Sequence, residues 1–102
     1  MSKTQDARFY QEHADLCQVF SNAKRLKLLE VLKDGDEHTV SELQSRSDIP
    51  QSTISQHLQM MRDQGIVRRR KEGVRSYYAM TDDRFVTGME LMREVLMERE
   101  EG

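Results

Sequence analysis

Apolar residues recur every three to four positions along most of this chain, and the recurrence stops at glycines or polar turns. Over about residues 5–20, Phe9, His13, Leu16 and Phe20 mark one edge of a helix, and Ala7, Tyr10, Ala14 and Cys17 mark a second edge beside it. Two such edges call for cover on two sides, one from the chain itself and one from a second copy. Ser21 is placed to cap a second helix whose apolar positions include Ala23, Leu26, Leu28, Leu29, Val31 and Leu32. Asp34-Gly35-Asp36 ends it, with Gly35 suited to a left-handed C-terminal position. Glu37-His38-Thr39-Val40 has room only for an isolated strand, with His38 read as exposed loop. Ser41 is expected to cap a short third helix running to about Arg46, and Ser47-Asp48-Ile49-Pro50 then makes a turn.

A fourth helix is expected over about residues 51–64, with Ile54, Leu58 and Met61 on one face. Gly65 stops it. Strands over residues 66–71 and 74–80 form a hairpin turned at Glu72-Gly73. Thr81 or Asp82 can cap a final helix over about residues 83–100, which again has two apolar edges. Phe85, Met89, Met92 and Leu96 line one, and Gly88, Leu91 and Val95 line the other. The whole is mainly α with a small β-hairpin: two helices, an isolated strand, two helices, the hairpin and a last helix.

The fourth helix has an unusual outer side. At 100° per residue, Ser52, Gln56, Gln59 and Asp63 oppose the apolar face, Ser55 and Arg62 lie on one flank, and Thr53 and Met60 lie on the other. Ser and Thr are mediocre helix formers, so their clustering at this helix start is better explained by contact than by propensity. The surface has donors and acceptors and no large apolar residue, which suits base edges in a major groove. The hairpin beside it carries Arg68-Arg69-Arg70-Lys71. Alternation places Arg68 and Arg70 on one face and Arg69 and Lys71 on the other, and the sequence leaves open which face meets DNA. Arg75 stands across the turn, at the tip.

A helix offered to a groove with a basic ribbon beside it is the layout of a winged helix-turn-helix. The helix-turn-helix spans about residues 41–64 and the wing about residues 66–80. The candidate DNA contacts are Gln51, Ser52, Thr53, Ser55, Gln56, Gln59, Arg62, Arg68, Arg70, Lys71 and Arg75. The first and last helices are left to pair two copies, with Phe9, Leu16, Phe20, Phe85, Met89, Met92 and Leu96 as the candidate dimer interface.

Length and charge refine this picture. A chain of 102 residues makes one domain, and with 33% charged and 36% hydrophobic residues its core gains from dimer burial. The net charge of −2 argues against nucleic acid until its distribution is read. Between Arg62 and Arg75 six basic residues face two acidic ones, whereas from Asp82 to Gly102 three basic face seven acidic. Attraction to phosphate acts over about a Debye length, ~10 Å at 0.1 M salt, so the local excess matters more than the sum. No apolar run approaches the ~18 residues of a membrane span, and the first residues lack the apolar core of a signal peptide, so a cytoplasmic location is the expectation.

The single cysteine, Cys17, excludes an internal disulfide and any CxxC pair. His13 and Cys17, four apart on one flank, are the alternative sensor, but a lone thiol on an apolar helix edge more commonly packs. His57 reads as a partly buried histidine with a backbone partner rather than a metal ligand. The methionines read as adaptable filler. No cofactor is implied and no effector is identified. No Gly-rich phosphate loop, HExxH, GxSxG or carboxylate pair points to an enzyme. The competing reading is an interaction module that kept this fold and lost DNA binding, which would have no need of the Arg68–Arg75 cluster.

Four phrases in order resemble the ArsR/SmtB family of winged-helix repressors. They are Val19-Phe20-Ser21-Asn22-Ala23-Lys24-Arg25-Leu26-Lys27-Leu28-Leu29, then Ser52-Thr53-Ile54-Ser55-Gln56-His57-Leu58, then Gln64-Gly65-Ile66-Val67, and last Arg69-Arg70-Lys71-Glu72-Gly73 with Tyr77-Tyr78. The resemblance implies a homodimeric repressor that binds palindromic double-stranded DNA. It also shows what this chain lacks. Thr39 and Ser41 stand where the family's Cys-x-Cys metal motif begins its third helix, and neither supplies a thiolate. A second family site needs Asp and His on the last helix, and no His follows His57. Pro50 stands where the family's recognition helix has a capping Ser, so its start could move by a residue or two.

Overall fold

The apolar stripes converge on one core in the computed structural model, which describes residues 6–101. The order is α1 (Ala7–Gln18), a 3-10 turn (Val19–Ser21), α2 (Ala23–Leu32), α3 (Val40–Ser47), α4 (Gln51–Asp63), β1 (Val67–Glu72), β2 (Arg75–Met80) and α5 (Arg84–Glu101). Leu28, Leu29 and Leu32 of α2, Leu43 of α3, and Ile54, Leu58 and Met61 of α4 are buried together with Val67, Tyr78 and Met80 of the hairpin. The expected start of the first helix at residue 5 lies outside the described residues. Among the described residues no helix is long and apolar enough to cross a membrane.

Helix starts differ from the sequence expectation by one or two residues, for one reason. A cap must be extended, and the chain stays helical further than the patterns suggest. Val19–Ser21 continues α1 as a 3-10 turn in which Ser21 Oγ donates to Gln18 O at 2.6 Å. The first extended residue is Asn22, and its side chain, not that of Ser21, accepts from Arg25 N at 3.1 Å. Likewise Thr39 (φ −82, ψ 162) rather than Ser41 caps α3, accepting from Glu42 N at 3.2 Å. Thr81 does not cap α5. Its hydroxyl donates to Gly65 O at 2.6 Å and to Ile66 O at 3.1 Å, while Asp82 accepts from Arg84 N at 2.9 Å ahead of the helix.

The turn between α3 and α4 sets the angle of the helix-turn-helix. Asp48 adopts φ 60 at the end of α3 and donates its N–H to Gln44 O at 2.8 Å. Asp is among the few side chains that tolerate this region. Ser47 is buried, and its hydroxyl donates to Leu43 O at 2.6 Å while accepting from Ile49 N at 3.2 Å. Pro50 supplies the first helical carbonyl, at 3.0 Å from Ile54 N, and makes no side-chain cap. The α4 helix therefore starts at Gln51, as expected. Gly65 at φ 73 ends it, with Ile66 N donating to Met61 O at 2.9 Å.

The hairpin turn is shifted by one residue from the expected Glu72-Gly73. The pairing runs from Val67↔Met80 to Glu72↔Arg75, so Gly73 and Val74 form the loop. Gly73 has φ 59 and Val74 is not left-handed, which is the pattern of a type II′ turn, where glycine must stand first. The isolated strand at Glu37–Val40 reduces to one bridge. His38 donates to Tyr78 O and accepts from Tyr78 N, each at 2.8 Å.

Candidate nucleic-acid interface

The buried face of α4 fixes what its other face can do. Ile54 and Met61 are fully buried and Leu58 is 1% exposed, so the helix cannot rotate without emptying the core. Gln51, Ser52, Ser55, Gln56 and Gln59 are consequently exposed together, with Thr53 half-buried on the flank. Among the described residues the side chains of Gln51, Ser52, Thr53, Ser55 and Gln56 make no hydrogen bond, so their donors and acceptors are available to a ligand. The C-terminal half is already networked. Gln59 Nε2 donates to Asp63 Oδ1 at 2.9 Å, and Arg62 Nη1 donates to Gln59 Oε1 at 3.3 Å.

The flank of α4 is held from α2. The Arg25 guanidinium donates to Val19 O at 2.9 Å and Gln18 O at 3.0 Å, and its Nη1 lies 3.4 Å from His57 Nδ1. The sequence expectation of a backbone partner for His57 is therefore corrected: a guanidinium from α2 faces it instead. Burial, then the charges of Arg25 and Lys24, hold the His57 pKa below its ordinary value. A neutral imidazole with Nδ1 as acceptor fits this geometry.

The wing carries its basic residues on both faces. Arg68, Arg69, Arg70, Lys71 and Arg75 are all exposed. Arg68 and Arg70 are tied down, whereas Arg69, Lys71 and Arg75 have no hydrogen bond or ion pair among the described residues. Glu37 is the partner of both, and the Arg70 guanidinium beside it holds its carboxyl below the usual carboxylate range.

His38, read from sequence as exposed loop, is 4% exposed. Its Nε2 lies 2.9 Å from Asp34 Oδ2 and its Nδ1 lies 3.1 Å from Glu42 Oε2. The one-sided view of this loop failed because the contacts come from α2's end and α3's start. Arg46 adds a charge 3.9 Å from Asp34. Two carboxylates on two ring nitrogens require both to be N–H. Burial pushes the His38 pKa down, and the hydrogen bonds and charges of Asp34 and Glu42 outweigh it, leaving the value raised. A raised folded pKa contributes stability that is fully present below the unfolded value of about 6.5 and lost as pH rises through the folded value. The contribution of His38 to thermal stability is therefore expected to fall as pH is raised from below about 6.5 through the higher folded value. His38→Gln should flatten that fall, and a profile unchanged by the substitution would refute the assignment.

The terminal helices divide their apolar residues between the chain and its surroundings. Leu16, Phe20, Phe85 and Met89 pack against the core, with the Phe20 and Phe85 rings 6.1 Å apart. Phe9 is half-buried over an open cleft of about 420 Å³ that His13, Leu16, Asp63 and Gln64 also line. Met92 and Leu96 are 74% and 57% exposed, in company with Leu91 and Val95. Cys17 is an exposed free thiol and is not brought to the cleft where His13 lies. Among the described residues no three or more His, Cys, Asp or Glu side chains are placed to hold a metal ion.

Sequence reasoning missed Glu37, Arg25 and the His38 clamp. The spacing Asp34, His38, Glu42 was a signal for the last, but four-residue spacing means one face only within a helix, and this stretch crosses a loop.

The family described as "Bacterial regulatory protein, arsR family" matches residues 22–69, from the cap of α2 into β1. The chain is 35% identical over 80 residues to the transcriptional activator HlyU of Vibrio cholerae, covering 78% of this chain and 73% of that protein. It is 33% identical over 90 residues to the biofilm growth-associated repressor of Agrobacterium fabrum, covering 88% of this chain and 76% of that protein. Among solved structures, a homodimeric winged helix-turn-helix DNA-binding domain from Mycobacterium bovis superposes with a TM-score of 0.82 at 27% identity, covering 99% and 92% of the two chains.

Proposed function

The chain belongs to the arsR family of bacterial regulatory proteins, and on that premise we propose that it is a cytoplasmic transcriptional repressor that binds a palindromic operator as a homodimer. The observation that carries the proposal is the outer face of α4, where exposed hydrogen-bonding side chains without partners stand beside a basic wing. In this reading two copies place their α4 helices in successive major grooves about one helical turn apart. Ser52, Thr53, Gln56 and Gln51 reach base edges, and Gln59 joins them once its bond to Asp63 opens. Ser55, Arg62 and the wing meet phosphates. Repression follows from occluding a promoter, since the chain offers a reading surface and pairing helices and needs no catalytic step. One named relative is an activator and another a repressor. The sign of regulation is then set by where the operator lies relative to the promoter.

The test is binding to the DNA upstream of the chain's own gene, measured by anisotropy over a salt series. Gln56→Ala is expected to lower affinity for the operator about ten- to a hundredfold and leave scrambled DNA unaffected. Arg75→Ala is expected to weaken both DNAs alike and to reduce the salt slope by about one. Unchanged binding in both variants would sink the assigned reading surface. No shift by the wild-type protein at low salt would favour the interaction-module reading instead.

A further inference from the structure

The two faces of the wing differ in chemistry. By the pairing register, Val67, Arg69, Lys71, Ser76, Tyr78 and Met80 share one face, and Arg68, Arg70, Glu72, Arg75, Tyr77 and Ala79 share the other. Val67, Tyr78 and Met80 are buried in the same core as Ile54, Leu58 and Met61, so the first face is the one turned toward α4. Beyond the core that face continues as Arg69 and Lys71, both exposed and, among the described residues, outside every hydrogen bond and ion pair. On the second face Arg68 and Arg70 are closed off by a carboxylate from the loop between α2 and α3, and Arg75 at the tip is not. Arg70 Nε donates to Glu37 Oε2 at 2.9 Å and its Nη2 donates to Glu37 Oε1 at 3.1 Å. Arg68 Nη1 reaches Glu37 Oε2 at 3.4 Å. Arg70 also donates to Glu72 Oε2 at 2.7 Å, and its guanidinium carbon lies 4.6 Å from the Tyr77 ring centroid.

We infer that Glu37 is a positioning residue for the wing, and that the wing meets DNA through Arg69 and Lys71 on its inner face with Arg75 at its tip, and not through Arg68 and Arg70. The inference rests on the DNA-binding reading and decides which wing face does the binding. Three observations carry it. The inner face is the one that extends the surface on which the recognition helix packs. A carboxylate set between two guanidiniums repels phosphate, and it already takes the Nε and Nη2 donors of Arg70 and one Nη1 donor of Arg68. The loop also grips both strands at once, since the His38 main chain pairs with β2 while the Glu37 side chain pairs with β1. A wing fixed at this angle loses less conformational freedom on binding than one held by its hairpin alone.

The sign of one substitution separates positioning from simple electrostatics. Glu37→Gln removes a negative charge near DNA, which by Coulomb attraction alone would tighten binding. As a loss of positioning it is expected to weaken operator binding about threefold at fixed salt, the size of an exposed ion-pair effect. Glu37→Asp, which keeps the charge, should recover part of the loss. Arg69→Gln and Lys71→Gln are each expected to reduce the salt slope by about one, whereas Arg68→Gln leaves the slope unchanged. These variants are measured as full chains against the operator and scrambled DNA, with melting curves to confirm folding. Tighter binding by Glu37→Gln with a steeper salt slope would overturn the inference, because Arg68 and Arg70 would then be phosphate contacts that Glu37 holds back. Slopes unmoved by Arg69→Gln and Lys71→Gln would overturn it as well. In both cases the wild-type protein still binds, so these outcomes differ from failure of the DNA-binding reading, in which it does not.

Discussion

Leu58→Ala is expected to cost about 2–5 kcal/mol of stability, enough to leave much of the chain unfolded near 37 °C. Leu58 is 1% exposed in the middle of α4, between Ile54 and Met61, and it packs into the core shared by α2, α3 and the root of the wing. Truncation removes its transfer free energy and opens a void that helices on several sides cannot all close. For a domain near 100 residues each kcal/mol moves the midpoint by about 4–8 °C, so a fall of roughly 10 °C or more is expected at fixed protein concentration. Urea unfolding should show a lower midpoint with an unchanged slope. Operator affinity at low temperature, corrected for the unfolded fraction, should stay close to wild type, because Leu58 points away from the proposed reading face. A loss below about 1 kcal/mol would mean that α4 is not anchored through this side chain.

That prediction was open to the sequence alone, since Ile54, Leu58 and Met61 fall on one face by period and nothing else competes for it. The same holds for Gly65 and Gly73, where the chain must turn back with positive φ. What the sequence did not yield were relations between elements. Glu37 and Arg70 are thirty-three residues apart, and the bridge from His38 to Tyr78 helps bring them together. Arg25 and His57 meet because α2 crosses beside α4, a fact no local period contains. Caps failed in a different way. Ser21 and Asn22, or Thr39 and Ser41, are equally good cap chemistry, and the choice is made by which residue is extended after packing has set the helix ends. That Gln51, Ser52, Ser55, Gln56 and Gln59 are exposed together on α4 was legible because one face of a helix is a property of one element. The choice between wing faces was not, because alternation defines two faces and only the core decides which one looks toward α4.

Met92→Glu combined with Leu96→Lys is expected to convert the protein to a folded monomer that has lost roughly a hundredfold or more in operator affinity. Met92 and Leu96 are 74% and 57% exposed on α5, and Leu91 and Val95 continue the same apolar arc. Four such side chains in a row on the outside of a helix are poorly matched to water, and in the proposed dimer a second copy of the same helix would bury them symmetrically. The pair of substitutions is chosen so that the helix itself survives. Glutamate four residues before lysine is a favourable helical pair, so the change removes apolar surface without weakening α5. Neither side chain contributes to the core, where Phe85 and Met89 do the packing. If each half-exposed side chain contributes about 1 kcal/mol on burial, the four copies in a dimer account for about 4 kcal/mol, roughly a thousandfold in the dimerisation constant. Sedimentation should give the monomer mass at micromolar concentration, with helical circular dichroism retained. Binding should persist only as the weak, salt-sensitive attraction of one reading head to one half-site. A variant that remains dimeric at that concentration would show that the copies pair elsewhere and that the outer arc of α5 is not their interface.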